Sequence, residues 1–191
     1  MKYWPEKKWK KIVLVTFLVL IVASFSILAI VSIVITNEKI TELVIKNPDS
    51  EKIGLIFYHP GLTSFAHDVS YAFADGLIEN GWRVEIATPS VEAPTNLSKY
   101  SLLIAISNTY GFNPDTPTTR HLERIGELGG IQTVLITLGA GSAEQSQKVF
   151  ENLVETSNGT IIESLLLYSM APNEGGNSAT EIAKLAAQQI N

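Results

Sequence analysis

Three short segments hold the residue types best able to do chemistry. Residues 59–64, which are His59, Pro60, Gly61, Leu62, Thr63 and Ser64, join a glycine turn to two hydroxyls and an imidazole. Such a turn at the start of a helix can hold an anion on main-chain N–H groups and hydroxyls, without lysine or arginine. Residues 107–112 contain Asn108, Thr109, Tyr110, Gly111 and Phe112. Tyr110 and Phe112 could stack on a planar ring, or simply cover the end of a sheet. Leu138, Gly139, Ala140, Gly141 and Ser142 follow one another in a third segment. They allow close backbone approach to a ligand, or make a plain turn in which Ser142 caps a helix. Thr63 has the same two readings, anion ligand or helix cap.

Other chemistries lack their residues. The chain has no cysteine, which removes disulfides, thiolate metal sites and cysteine nucleophiles together. His59, His67 and His121 are scattered, with no i,i+4 pair on one helix, so no metal site is expected. Asp68 complements the dipole at the start of a helix, which is sufficient reason for it. No G-x-S-x-G elbow precedes a helix, and no G-x-G-x-x-G follows the first strand. With a net charge of −5 and no basic patch interleaved with aromatics beyond Asp49, nucleic acid is not an expected partner.

The elements that must position these segments can be read from periodicity. The apolar run 53–58 suits a strand buried on both faces. Phe65, Val69, Phe73 and Leu77 recur every four residues, so one stripe of a helix faces a core. Thr63 or Ser64 can cap its first turn, and Asn80-Gly81 ends it. Trp82, Val84 and Ile86 alternate with Arg83 and Glu85, which predicts a strand with one wet face at the edge of a sheet. Residues 88–99 contain two prolines and no periodicity, so a loop stands where a second helix would be expected. A buried strand follows at 100–106, then a polar loop over 107–117 and a helix over 118–128. A strand at 131–138, a helix after Ser142, a strand at 160–170 and an alanine-rich helix from Ser178 complete the chain. This alternation predicts an α/β fold, a three-layer doubly wound parallel sheet of five strands in the order 2-1-3-4-5. The loops after Tyr58 and Ile106 then flank one crevice at the switch point.

With its three glycine- and hydroxyl-bearing loops in this order, residues 52–191 resemble the flavodoxin family. Tyr58-His-Pro-Gly-Leu-Thr63 stands where the family has T-x-T-G-x-T around the phosphate of FMN. The segment from Ser107 to Phe112 is similar to S-P-T-Y-x-G, and the segment from Thr137 to Ser142 to the family's glycine turn after the fourth strand. The resemblance implies FMN as cofactor, held by the residues named above, and electron transfer as the activity. Tyr58 and Pro60 depart from the phosphate-loop pattern, which removes two hydroxyls and one N–H. The alternative is a flavodoxin-like domain without cofactor, acting as an extracytoplasmic interaction or assembly module.

Composition divides the rest of the chain. Residues 12–35 carry no charge, and their length suffices to cross a hydrocarbon core of about 30 Å. No small-residue cleavage motif follows, so an uncleaved signal anchor is expected. The expected layout is therefore a basic tail at 1–11, a transmembrane helix at 12–35, a connector of one or two helical turns within 36–51, and the domain at 52–191. Lys2, Lys7, Lys8, Lys10 and Lys11 precede the span, opposed only by Glu6. The positive-inside rule places the amino terminus in the cytoplasm and the domain outside a cell membrane. The expected partners are the lipid bilayer and a membrane redox protein.

Overall fold

Apolar runs of two periods build two separate units. The computed structural model describes residues 7–191. One unit contains helix α1 (Lys8–Thr36), 29 residues with none buried, about 43 Å long at 1.5 Å per residue. It is long and apolar enough to cross a membrane. The flank from Lys2 to Glu6, including Tyr3 and Trp4, lies outside the described residues. The other compact unit spans Thr36–Asn191.

In this second unit the chain forms β1 (Val44–Lys46), β2 (Ile53–Tyr58), α2 (Phe65–Glu79), β3 (Arg83–Ala87), β4 (Leu102–Tyr110) and β5 (Asn113–Pro114). It continues through α3 (Thr116–Ile125), β6 (Gln132–Gly139), α4 (Glu144–Thr156), β7 (Thr160–Tyr168) and α5 (Ala179–Ala187). The sheet order is β1-β3-β2-β4-β6-β7, with β5 paired to β4. The five parallel strands β3-β2-β4-β6-β7 follow the order 2-1-3-4-5 expected from the sequence. Both faces of the sheet are covered. Val69, Phe73 and Leu77 of α2 and Ala183 and Ala187 of α5 pack on Ile56, Ile104 and Ile136. Leu122 of α3 and Phe150 and Val154 of α4 pack on Leu55, Leu103 and Leu135. Gly76 permits a close approach of α2 and α5: a Cβ there would lie 2.4 Å from the Lys184 carbonyl oxygen.

Four local expectations are corrected. The connector 36–51 contains β1, which pairs antiparallel with β3, and no helix beyond Thr36. Consequently β3 is not an edge strand. Its Glu85 is fully buried rather than wet, because no helix lies between β3 and β4 and residues 97–100 cover that face instead. The carboxylate there accepts from Arg83 at 2.6 Å, Lys99 at 2.8 Å and the Tyr100 hydroxyl at 2.6 Å. Burial alone would raise its pKa, but these three donors hold it below the usual carboxylate range. The polar stretch after Ile106 is not a loop: β4 runs on to Tyr110 and turns back through Gly111 and Phe112 into β5. Both turn residues have positive φ, +57° and +66°, the geometry of a type I′ hairpin. Finally, the caps differ. Ser64 is the N-cap of α2, yet its hydroxyl donates to Asp68 Oδ2 at 2.8 Å, while Thr63 Oγ1 accepts the Phe65 N–H at 3.3 Å. Ala143 rather than Ser142 is the N-cap of α4, and the Ser142 hydroxyl reaches Glu144. The charged side chains one helical turn or less away compete successfully for these hydroxyls.

Candidate functional site

Parallel strands bring their carboxyl ends to one edge, so the segments after β2, β4 and β6 become neighbours there. Gly61 takes φ +69° in the turn between β2 and α2, a conformation that disfavours a side chain. Asn108, on the extended end of β4, donates from Nδ2 to the His59 carbonyl at 2.7 Å. Two residues further along, the Tyr110 hydroxyl stands beside the same turn, near the Leu62 N–H. A Cβ at Gly61 would meet that hydroxyl at 2.7 Å and Asn108 Nδ2 at 3.1 Å. Burial, then the Asp115 carboxylate, raises the pKa of Tyr110, so it is a neutral phenol at pH 7.

Asp115 supports this end of β4. It is buried at the N-cap of α3 and accepts from the Thr118 N–H at 2.9 Å, the Asn108 N–H at 2.8 Å and the Ser107 hydroxyl at 3.0 Å. Burial raises its pKa despite these donors.

A cleft of about 160 Å³ opens between the three segments. Of the residues expected at a site, Leu62, Thr63, Asn108, Thr109, Tyr110, Leu138, Gly139 and Ala140 line it, joined by Phe65 and Ser169. The others do not. His59 is buried, and its Nε2 donates to the Asn37 carbonyl at 3.1 Å. Pro60 and Gly61 form the turn behind the lining. Ser64 and Ser142 turn to Asp68 and Glu144. Gly111 and Phe112 form the hairpin tip, with Phe112 59% exposed, and Gly141 lies beyond the lining. Tyr58 is not in the cleft: it belongs to the core under α2, where burial pushes its pKa up to about 12.

Sequence reading missed three residues here. Phe65, in the core stripe of α2 by periodicity, packs against the core and also lines the cleft. Ser169 follows β7, whose parallel pairing with β6 brings it beside Gly139. Asp115 sits one residue before a Thr-Pro pair at a helix start, a capping signal that was legible.

No family model matches the sequence, and no curated protein matches it. Solved structures do. A flavodoxin from the domain Archaea is 11% identical, with 73% of this chain and 95% of the other covered at a TM-score of 0.57. Oxidised flavodoxin 2 from Bacillus cereus is 17% identical, with 71% and 94% covered at 0.57. A flavodoxin, WrbA-like protein from Agrobacterium tumefaciens is 14% identical, with 74% and 95% covered at 0.51. At these identities the likeness establishes the fold: the domain is flavodoxin-like.

Proposed function

We propose that this flavodoxin-like domain, tethered to a membrane by α1, binds FMN in the cleft at the carboxyl edge of the sheet and exchanges electrons with a membrane redox protein. The observation that carries this reading is the convergence of residues 62–63, 108–110 and 138–140 on one cleft. Bound FMN would supply reversible electron transfer. The residues present suit it in one specific respect. The Leu62 N–H lies near an oxygen, that of Tyr110, whose place a phosphate oxygen could take. The first N–H groups of α2 lack intrahelical acceptors and stand next to it. Thr63 adds a hydroxyl at the cleft wall. Tyr110, once its hydroxyl leaves the turn, would have its ring free to stack on the flavin. Gly139 keeps the β6 side narrow, since a Cβ there would lie 2.7 Å from the Ala143 Cβ.

The tether is supported by 24 uncharged residues, 12–35, inside a helix with no buried residue. The lysines before it favour a cytoplasmic amino terminus and an extracytoplasmic domain. FMN titration of the full chain in detergent tests the cofactor. Saturable quenching of flavin fluorescence and a yellow protein are expected, and a folded protein without flavin affinity overturns it.

A second reading has its own observations. Pro60 offers no N–H, the Tyr110 hydroxyl crowds the turn at Gly61, and about 160 Å³ is below the roughly 300–1,000 Å³ of small-ligand sites. These favour a cofactor-less domain acting as an interaction or assembly module. Failure of both the wild type and Tyr110→Phe to bind FMN selects it.

A further inference from the structure

The carboxyl edge of the sheet carries a second pattern that a flavin site does not require. Within Thr36–Asn191, six large apolar side chains are more than half exposed: Ile40, Leu62, Val91, Phe112, Met170 and Leu185. Only Leu185, on α5, lies away from this edge. Leu62 follows β2, Val91 follows β3, Phe112 forms the tip beyond β4, and Met170 follows β7. Met170, at 85%, is the most exposed of the six. Phe112, 59% exposed, holds its ring outward at the hairpin tip, where φ is +66°. The turns at the opposite end of the sheet are polar, with Asp49, Glu51 and Lys52 before β2, Asn80 and Gly81 before β3, and Ser157 and Asn158 before β7.

Ile40 belongs to the segment by which the chain enters the domain, and that segment is fastened to the same edge. His59 Nε2 donates to the Asn37 carbonyl at 3.1 Å. The Thr88 hydroxyl, just past β3, donates to the Lys39 carbonyl, and Glu38 pairs with Arg124 of α3. Asn37 directly follows Thr36, the last residue of α1. The entry point of the domain and its exposed apolar tips therefore share one edge.

We infer that this edge is a lipid-docking face, with Ile40, Leu62, Val91, Phe112 and Met170 entering the interfacial layer of the bilayer that α1 crosses. The inference rests on the membrane-tether reading above. Strongly exposed apolar tips gathered at one edge mark a partner, and lipid is the partner that α1 already supplies. Insertion of single side chains from loop tips needs only a shallow layer of acyl chain, which aromatic and aliphatic residues enter readily. Neutral lipid should suffice, because the five side chains are uncharged.

The absence of cysteine makes the test direct. Met170→Cys, Val91→Cys, Leu185→Cys and Ser98→Cys are each made in the full chain, labelled with an environment-sensitive fluorophore, and reconstituted into phosphatidylcholine vesicles. A fraction of the lipid carries a spin label high on the acyl chain. Labels at 170 and 91 should be quenched at least twofold relative to those at 185 and 98. Alkaline carbonate extraction is run on the same vesicles. A protein retained after extraction, with 170 and 91 quenched no more than 185 and 98, overturns the docking face alone. A protein stripped by carbonate overturns the tether and the docking face together.

Discussion

Tyr110 has two competing roles at the cleft. Its hydroxyl crowds the turn at Gly61 beside the Leu62 N–H, while its ring forms part of the wall that a flavin would face. Tyr110→Phe keeps the ring and removes the oxygen. A neutral hydrogen bond is worth about 0.5–1.5 kcal/mol net, so where the hydroxyl competes with phosphate for this N–H, FMN should bind the variant up to roughly 10-fold more tightly. Fluorescence titration of both proteins measures this, and an unchanged dissociation constant would mean that the hydroxyl does not compete. Gly61 is the second sensitive position. Gly61→Ala puts a side chain at φ +69° and within 2.7 Å of the Tyr110 oxygen. The left-handed conformation alone costs about 1–2 kcal/mol, so the urea midpoint should fall even if Tyr110 rotates away.

Elements, not single residues, account for Glu85. The usual helix between β3 and β4 is absent, and residues 88–101 must cover the sheet with a loop. A buried carboxylate holds that loop by accepting from Lys99 and Tyr100. Glu85→Gln removes the charge but leaves Arg83 and Lys99 in place. Breaking one side of a buried ion pair costs about 3–5 kcal/mol. Because Lys99 is half-exposed, the loss should sit near the lower figure, about 3 kcal/mol by urea denaturation. On the other face, α2 and α5 meet at Gly76. Alanine improves helix propensity by about 1 kcal/mol, but a Cβ 2.4 Å from the Lys184 carbonyl oxygen forces the two helices apart. Overpacking of this kind costs about 1–3 kcal/mol, so Gly76→Ala should lower the melting temperature rather than raise it.

The stability of the whole domain should depend on acidity through His121. Its ring is fully buried, edge-on to Phe57, and burial followed by the Arg124 charge pushes its pKa down to about 4 from 6.5. The unfolded chain therefore takes up a proton before the native one does. Stability conferred by the neutral ring is complete above pH 6.5 and is lost as pH falls toward 4. Between pH 7 and 5 the loss should be about 2 kcal/mol. Asp115, whose pKa burial raises, works in the opposite sense, and Glu85 and Asp68, held low, lose their contribution at lower pH. Comparison with His121→Phe separates these contributions. Urea midpoints measured at both pH values should converge in the variant, and a wild-type slope that persists there would assign the dependence to other groups.

Much of this architecture was already legible in the amino-acid order. The uncharged run 12–35, the four-residue stripe of α2 and the β-branched runs of β2, β4 and β6 depend on neighbours in sequence, and periodicity reports those directly. The order of the five parallel strands followed from short crossovers and from which runs are apolar on both faces. Strand direction alone then predicted that the segments after β2, β4 and β6 would share an edge. Long-range pairing decided the rest. Residues 44–46 become a strand only because β3 presents an open edge, and Glu85 is buried only because Lys99 and Tyr100 return to meet it. The extension of β4 to Tyr110 needs β6 alongside it as far as Asn108 and β5 beyond. The Asn108 side chain reaches the His59 carbonyl across 49 residues of chain, and the His59 ring turns away from the cleft to a carbonyl 22 residues earlier. No local pattern encodes such contacts, because the hydrogen-bond partner of a polar group is chosen by what the finished fold brings within 3 Å of it.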